Sequence, residues 1–215
     1  MDGTLVDTEP YWMETEVAIA EAHGGTWTHQ DAMALVGNDL LVSGRAIKQK
    51  LGLPHTAEQV VEMLLDGVVA RVTESVPWRP GARELLDALA AQDIPCALVT
   101  MSYRRFVDPI LAALPPGTFD VVVTGDQVSE GKPHPEAYLT AARHLGVRPE
   151  DCVALEDSPT GAASALAAGA RTIAVPNHVP VPERPGLEFR ASLTDVTVDD
   201  LKTLPDRDTS QADLR

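Results

Sequence analysis

The chain has little cysteine, two in 215 residues. Cys96 and Cys152 stand in apolar runs far from any pairing motif, so both read as reduced core residues. Positive charge is also short. There are 17 Lys and Arg against 32 Asp and Glu, for a formal charge of −15 and a pI of about 4.6. Such a field argues against nucleic acid or an anionic membrane as partner. It does not draw in an anionic substrate either, so local cations must hold one. No 18-residue apolar stretch and no secretory signal appear, and a soluble cytoplasmic protein is the expectation. There are no internal repeats. What remains is ordinary: 44% hydrophobic residues, enough for a sizeable core, in a length that suits one domain or a domain with an insert.

The pattern changes once along the chain. From Pro10 to about Thr73 there are helices and no strand. Pro10–His23 is closed by Gly24-Gly25. Gln30–Leu35 is broken at Gly37-Asn38, and Gly44–Leu51 and Ala57–Thr73 follow. Val60, Val61, Leu64, Leu65, Val68 and Val69 recur at helical spacing and read as one buried face. After Val76-Pro77-Trp78-Arg79-Pro80 helices and short apolar strands alternate, the sign of a parallel sheet covered on both faces. The strands are read at Ile94–Val99, Asp120–Val123, Cys152–Leu155 and Arg171–Val175, with a weak one near Phe189. Helices are read at Arg83–Gln92, Arg104–Leu114, Pro135–Leu145, Thr160–Ala168 and Val198–Leu204. Residues 205–215 are polar, without apolar period, and read as disordered.

In open parallel sheets ligands bind outside the carboxyl ends of the strands. Thr100-Met101-Ser102, Gly125-Asp126 and Glu156-Asp157 fall there, and Lys132 lies in a loop after a strand. Adjacent Glu156 and Asp157 repel unless a cation or proton intervenes. Mg²⁺ prefers carboxylate oxygens and keeps several waters, so two acids and a phosphate oxygen make a credible site. The alternative is a helix N-cap by Asp157 or Ser158, with Pro159 at the first helical position. Lys132, in Gly131-Lys132-Pro133-His134-Pro135, would supply fixed positive charge to a phosphate. At the N-terminus, Asp2-Gly3-Thr4 alone is a turn signal.

Taken together, Asp2-Gly3-Thr4-Leu5, Thr100, Lys132 and Glu156-Asp157 resemble, in order, the four motif regions of the haloacid dehalogenase superfamily. The likeness is to the branch of sugar-phosphate phosphatases and β-phosphoglucomutase, and it extends to about residue 204. It implies an α/β fold: a Rossmann-like core over residues 1–9 and 80–204, with an α-helical cap inserted at 10–79. It implies Asp2 and Lys132 as catalytic residues, Asp2 acting as general acid and then base. Thr100, Met101 and Lys132 would bind the phosphate. Asp2, Glu156 and Asp157 would hold Mg²⁺, Asp2 through its backbone carbonyl. Met101 departs from the small or amide residue common at its place and would crowd the phosphate. Ser102 reads as a helix cap, Asp7 as structural or a hinge, His134 as a loop residue, and Tyr11 and Trp12 as cap packing. Asn38, Asp39 and Arg45 are weaker candidates for reading the substrate.

The family's nucleophile, an aspartate ending a central strand, would fall immediately before Met1. Without that strand its neighbours would lose backbone partners at ~1–3 kcal/mol each, against a stability of roughly 5–15 kcal/mol. Met1 is therefore expected to be internal to a longer natural chain reading Asp-Met-Asp-Gly-Thr. The leading expectation is a phosphatase of a small phosphorylated metabolite, monomeric or weakly dimeric. The alternatives are a β-phosphoglucomutase-type phosphomutase, or an inactive phosphate-binding protein if Met1 is the true start.

Overall fold

The computed structural model describes residues 1–35 and 40–203. Their contacts divide the chain into two units. One holds Met1–Asp7, Trp78–Val107 and the chain from Leu114 on; the other holds Thr8–Pro77 and Asp108–Ala113. The candidate positions Asn38 and Asp39, and the tail read as disordered, lie outside the described residues.

The second unit is helical. It comprises α1 (Glu9–Ala22), α2 (His29–Met33), α3 (Leu40–Leu51) and α4 (Ala57–Glu74). Thr28 with Asp31, and Thr56 with Gln59, form reciprocal capping boxes that satisfy the first N–H groups of α2 and α4. Ile19, Trp27, Ile47, Val60 and Leu64 meet in one core, with Trp12 packed on it. Tyr11 donates its hydroxyl to Ser75 O at 3.1 Å. Val60, Val61, Leu64, Leu65 and Val68 are buried as expected. Val69 is only half-buried, and Val72 completes the face instead. That follows from the 3.6-residue turn, which carries 69 off the stripe that 61, 65, 68 and 72 share.

Glu16 is the exception in this core. It is 5% exposed and accepts from Trp27 Nε1 at 2.8 Å. Burial lifts its carboxyl from 4.5 to about 7; the Trp27 hydrogen bond opposes the rise and the nearby Glu9 charge adds to it. A raised carboxyl means that the folded chain binds the proton more tightly than the unfolded one. Stability is therefore lost as pH climbs from about 4.5 to 7. Glu16→Gln keeps an acceptor for Trp27 and removes this cost. We expect it to gain up to about 3 kcal/mol over the parent in urea melts at pH 8, and almost nothing below pH 4.5.

The first unit carries β1 (Ala97–Val99), β2 (Val121–Val123), β3 (Val153–Glu156), β4 (Arg171–Ala174) and β5 (Leu187–Phe189), all paired in parallel. Its helices are α5 (Ala82–Ala90), α7 (Glu136–Leu145), α8 (Pro159–Ala168) and α9 (Val198–Thr203); α6 (Arg104–Ala112) runs across the division between the units. Leu85 and Leu89 of α5 and Val198 of α9 cluster with Ile173 of β4. Ala165 of α8 packs on Ala154, and Val123 lies under Ala137 and Ala141 of α7. Helices thus cover both faces, as the continuous apolar strands require.

The strands form two sheets, β1-β2 and β3-β4-β5. An apolar cavity of about 460 Å³ is lined by β1 and β3, by Leu85 and Leu89 of α5 and by Ala141 and Leu145 of α7. Met1, Thr4 and Leu5 line it too. Cys96 and Cys152 are free thiols on its wall, half-buried rather than core residues. β1 is shorter than its apolar run. Pro95 has no N–H for a ladder, and the N–H of Cys96 is taken by Asp120 Oδ2 at 2.9 Å. No helix among the described residues is long and apolar enough to cross a membrane.

Candidate active site

The N-terminal loop is wound on itself. Gly3 N donates to Val6 O and Leu5 N to Met1 O, both at 2.8 Å. Gly3 adopts φ 72°, and a Cβ there would collide with the Asp157 carboxylate. The guanidinium of Arg79 donates to Gly3 O, to Val175 O at 3.2 Å and to Pro176 O at 3.3 Å, tying this loop to the end of β4.

Two side-chain links then join the loop to the carboxyl ends of β1 and β3, and a third joins those two ends to each other. Ser102 Oγ donates to Asp2 Oδ2 at 2.5 Å. Thr4 Oγ1 donates to Asp157 Oδ1 at 3.0 Å. Lys132 Nζ donates to Val99 O at 3.1 Å and to Glu156 Oε1 at 2.5 Å, so it bridges the two strand ends. Thr100 is buried where β1 stops; its N–H pairs with Val123 O and its Oγ1 accepts from Ser102 N at 3.1 Å. Met101 turns its side chain away, its Sδ receiving the Lys132 N–H at 3.3 Å.

Lys132 and Glu156 form a nearly dry pair, with side chains 9% and 5% exposed. Burial works against the Glu156 charge, but Lys132, the Met1 ammonium and the Tyr138 hydroxyl together outweigh it and hold the carboxyl below the ordinary glutamate value. Asp157 goes the other way: burial raises it, the Met1 ammonium opposes the rise, and the adjacent Glu156 charge adds to it. No side-chain cation lies within ion-pair distance of Asp157 among the described residues. One acid of the doublet is thus paired with a side-chain cation and the other is not.

Glu156 is held tightly enough to constrain α8. Ser158 caps this helix, accepting from Gly161 N at 3.1 Å, and Pro159 is its first residue. A Cβ on Gly161 would overlap the Glu156 carboxylate. Alanine favours a helix over glycine by about 1 kcal/mol, while overpacking costs ~1–3 kcal/mol. Lys132 and Tyr138 stop Glu156 from yielding, so the second effect wins. We expect Gly161→Ala to lower stability by about 1–2 kcal/mol in a denaturant melt.

A family model described as haloacid dehalogenase-like hydrolase matches residues 1–169. The chain belongs to the haloacid dehalogenase-like hydrolases. Hexitol phosphatase B of Escherichia coli (strain K12) is 31% identical to this hydrolase over 213 residues, 97% of this chain and 93% of its own. A phosphorylated carbohydrates phosphatase of Thermotoga maritima is 34% identical over 183 residues, 80% and 81% of the two chains. Among solved structures, CbbY from Rhodobacter sphaeroides in complex with phosphate superposes with a TM-score of 0.81 at 26% identity. It covers 94% of this chain and 96% of its own.

Several residues of the hydrolase stand elsewhere than its sequence suggests. Ser102 is not the cap of α6. Asp126 Oδ1 takes the Arg104 N–H at 3.2 Å, which frees the serine hydroxyl for Asp2. Arg79 and Tyr138 give no motif signal, being an arginine among prolines and an aromatic in a helix. Asp7 pairs with His178 Nε2 at 2.7 Å. Arg45 is exposed on α3. Asp2, Glu156 and Asp157 do not bring side-chain ligand atoms all within 4.8 Å of one another. Among the described residues the set that does is the largely exposed Glu130, His134 and Glu136. His134 bonds Glu130 at 3.0 Å, and Glu136 accepts from Ser129 and Glu130 N–H groups.

Proposed function

We propose that this hydrolase is a Mg²⁺-dependent phosphomonoesterase acting on a small phosphorylated metabolite, a sugar or sugar-alcohol phosphate, through an aspartyl-phosphate. The observation that carries the reading is the meeting of the Asp2–Thr4 loop, Thr100, Lys132 and Asp157 at the carboxyl ends of β1 and β3. The names of the relatives, a hexitol phosphatase and a phosphorylated carbohydrates phosphatase, supply the substrate class.

Lys132 spends two of its three N–H groups on Val99 O and Glu156, leaving one for a phosphoryl oxygen. Thr100 and the backbone of the following turn offer further donors. The donor set suits a hard divalent cation: oxygen ligands only, with an Asp157 carboxylate that no side-chain cation neutralises. Asp157 and the Asp2 carbonyl, with Glu156 behind them, would hold Mg²⁺, which when bound offsets the charge of the phosphoryl oxygens. Asp2, oriented by Ser102, protonates the departing alcohol oxygen and then takes a proton from the water that attacks phosphorus.

The attacking carboxylate is assigned to an aspartate directly preceding Met1, at the end of a strand seated in the cavity between β1 and β3. The apolar lining of that cavity by both strands supports this assignment. The attack forms a P–O bond to this carboxylate as the ester P–O bond breaks; water then restores the carboxylate and releases phosphate.

The test is a panel of phosphorylated sugars, sugar alcohols and other metabolites offered with Mg²⁺ to a protein extended through its upstream in-frame codons. Release of phosphate supports the reading. Isomerised sugar phosphate without release marks a phosphomutase. Upstream codons that encode no apolar run ending in Asp, with no turnover, leave a phosphate-binding protein.

A further inference from the structure

We propose that Tyr138 is a positioning residue for Lys132, holding the ammonium where the phosphate is met; the proposal rests on the phosphatase reading for its meaning but not for its test. Tyr138 lies in the first turn of α7, six residues beyond Lys132. Its hydroxyl donates to Glu156 Oε1 at 2.5 Å, the same oxygen that accepts from Lys132 Nζ. Lys132 Nζ lies 4.9 Å from the centre of the Tyr138 ring. The lysine is therefore held by the ring face and, through the shared carboxylate oxygen, by the hydroxyl.

This arrangement answers a physical difficulty. A lysine has four rotatable side-chain bonds and little geometric preference of its own. The backbone carbonyl of Val99 alone fixes one N–H. A carboxylate that accepts from Lys132 only could swing with it. The hydroxyl gives Glu156 Oε1 a second, rigidly based donor, so the carboxylate stays put and the ammonium with it. The ring adds a cation–π contact. Burial and the Glu156 charge push the Tyr138 hydroxyl well above its ordinary pKa, which keeps it a donor.

The experiment uses the 215-residue chain, Tyr138→Phe and Tyr138→Leu. The first variant keeps the ring and loses the hydroxyl; the second loses both. The primary readout is the rate of reductive methylation of Lys132 by formaldehyde and a borane reductant, followed by peptide mass spectrometry. Lys50 and Lys202 serve as internal references. Inorganic phosphate affinity by calorimetry is the second readout. We expect Lys132 labelling to rise about fivefold in Tyr138→Phe and more in Tyr138→Leu, with a cooperative melt retained. Phosphate binding should weaken about fivefold or more in the same order.

Unchanged Lys132 labelling in Tyr138→Phe overturns the proposal whatever phosphate does. Labelling that rises only with loss of the cooperative melt overturns it too, because the hydroxyl then holds the fold and not the lysine. Raised labelling in Tyr138→Phe, with neither protein binding phosphate, leaves the positioning role standing and counts instead against Lys132 meeting phosphate in this chain.

Discussion

Lys132→Ala is expected to lower the stability of the chain by about 3–5 kcal/mol, a large part of what a domain has. The reason is the burial of its partner. Glu156 is 4% exposed, and without the lysine the Tyr138 hydroxyl is the one side-chain donor its carboxylate keeps among the described residues. Attraction between the pair does not set the size of the loss; an orphaned buried charge does. A second change should therefore reverse most of it. Lys132→Met combined with Glu156→Gln removes both charges, leaves an acceptor for Tyr138, and is expected to melt within about 1 kcal/mol of the parent. Urea denaturation of the parent, Lys132→Met, Glu156→Gln and the double variant closes the cycle. If Lys132→Ala costs less than 1 kcal/mol, the pair is not the buried one described.

Asp2→Asn is the second large effect, this time on rate. The extended protein should lose about 10²–10⁴-fold in phosphate release from a sugar phosphate, the usual worth of a positioned acid and base. Its melt should hardly move, since an amide oxygen can still accept from Ser102 Oγ. An aryl phosphate, whose leaving group needs no proton, separates the two steps. Asp2→Asn should release one equivalent of aryl alcohol in a burst and then stall, because no base remains to activate water. Undiminished steady turnover in Asp2→Asn would remove Asp2 from the proton path.

Much of this site is legible in the sequence because its parts are local. Asp2-Gly3-Thr4, Gly131-Lys132-Pro133 and Glu156-Asp157 are short runs whose residue types already suit phosphate and a cation. Their placement at strand ends follows from the alternation of helices and apolar strands. The residues that hold those runs in place are not legible, since each acts across the chain. Ser102 reaches Asp2 over 100 positions and Arg79 reaches Gly3 over 76. Ser102 has the composition of a helix cap, and only the presence of Asp126 shows that the cap is filled. Tyr138 sits in an amphipathic helix, where an aromatic normally signals packing. Met101 breaks the family's pattern, yet its thioether turns towards the Lys132 loop.

The strands were harder to bound than the helices. Parallel strands covered on both faces have no period to count, so Pro95 and the side chain of Asp120 decide where β1 begins. The cysteines illustrate the same limit. An apolar neighbourhood in sequence does not say that a cavity opens beside Cys96 and Cys152.

The most direct measurement is to mix the extended protein with a phosphorylated substrate and Mg²⁺, quench in acid, and locate the added phosphoryl group by mass spectrometry. An acid-stable, hydroxylamine-labile phosphoryl group on the residue preceding Met1, accumulating in Asp2→Asn and missing in Lys132→Ala, is the predicted result. Turnover that proceeds with no phosphorylated intermediate there, or that survives Lys132→Ala undiminished, would contradict a phosphoryl-transfer site at the ends of β1 and β3.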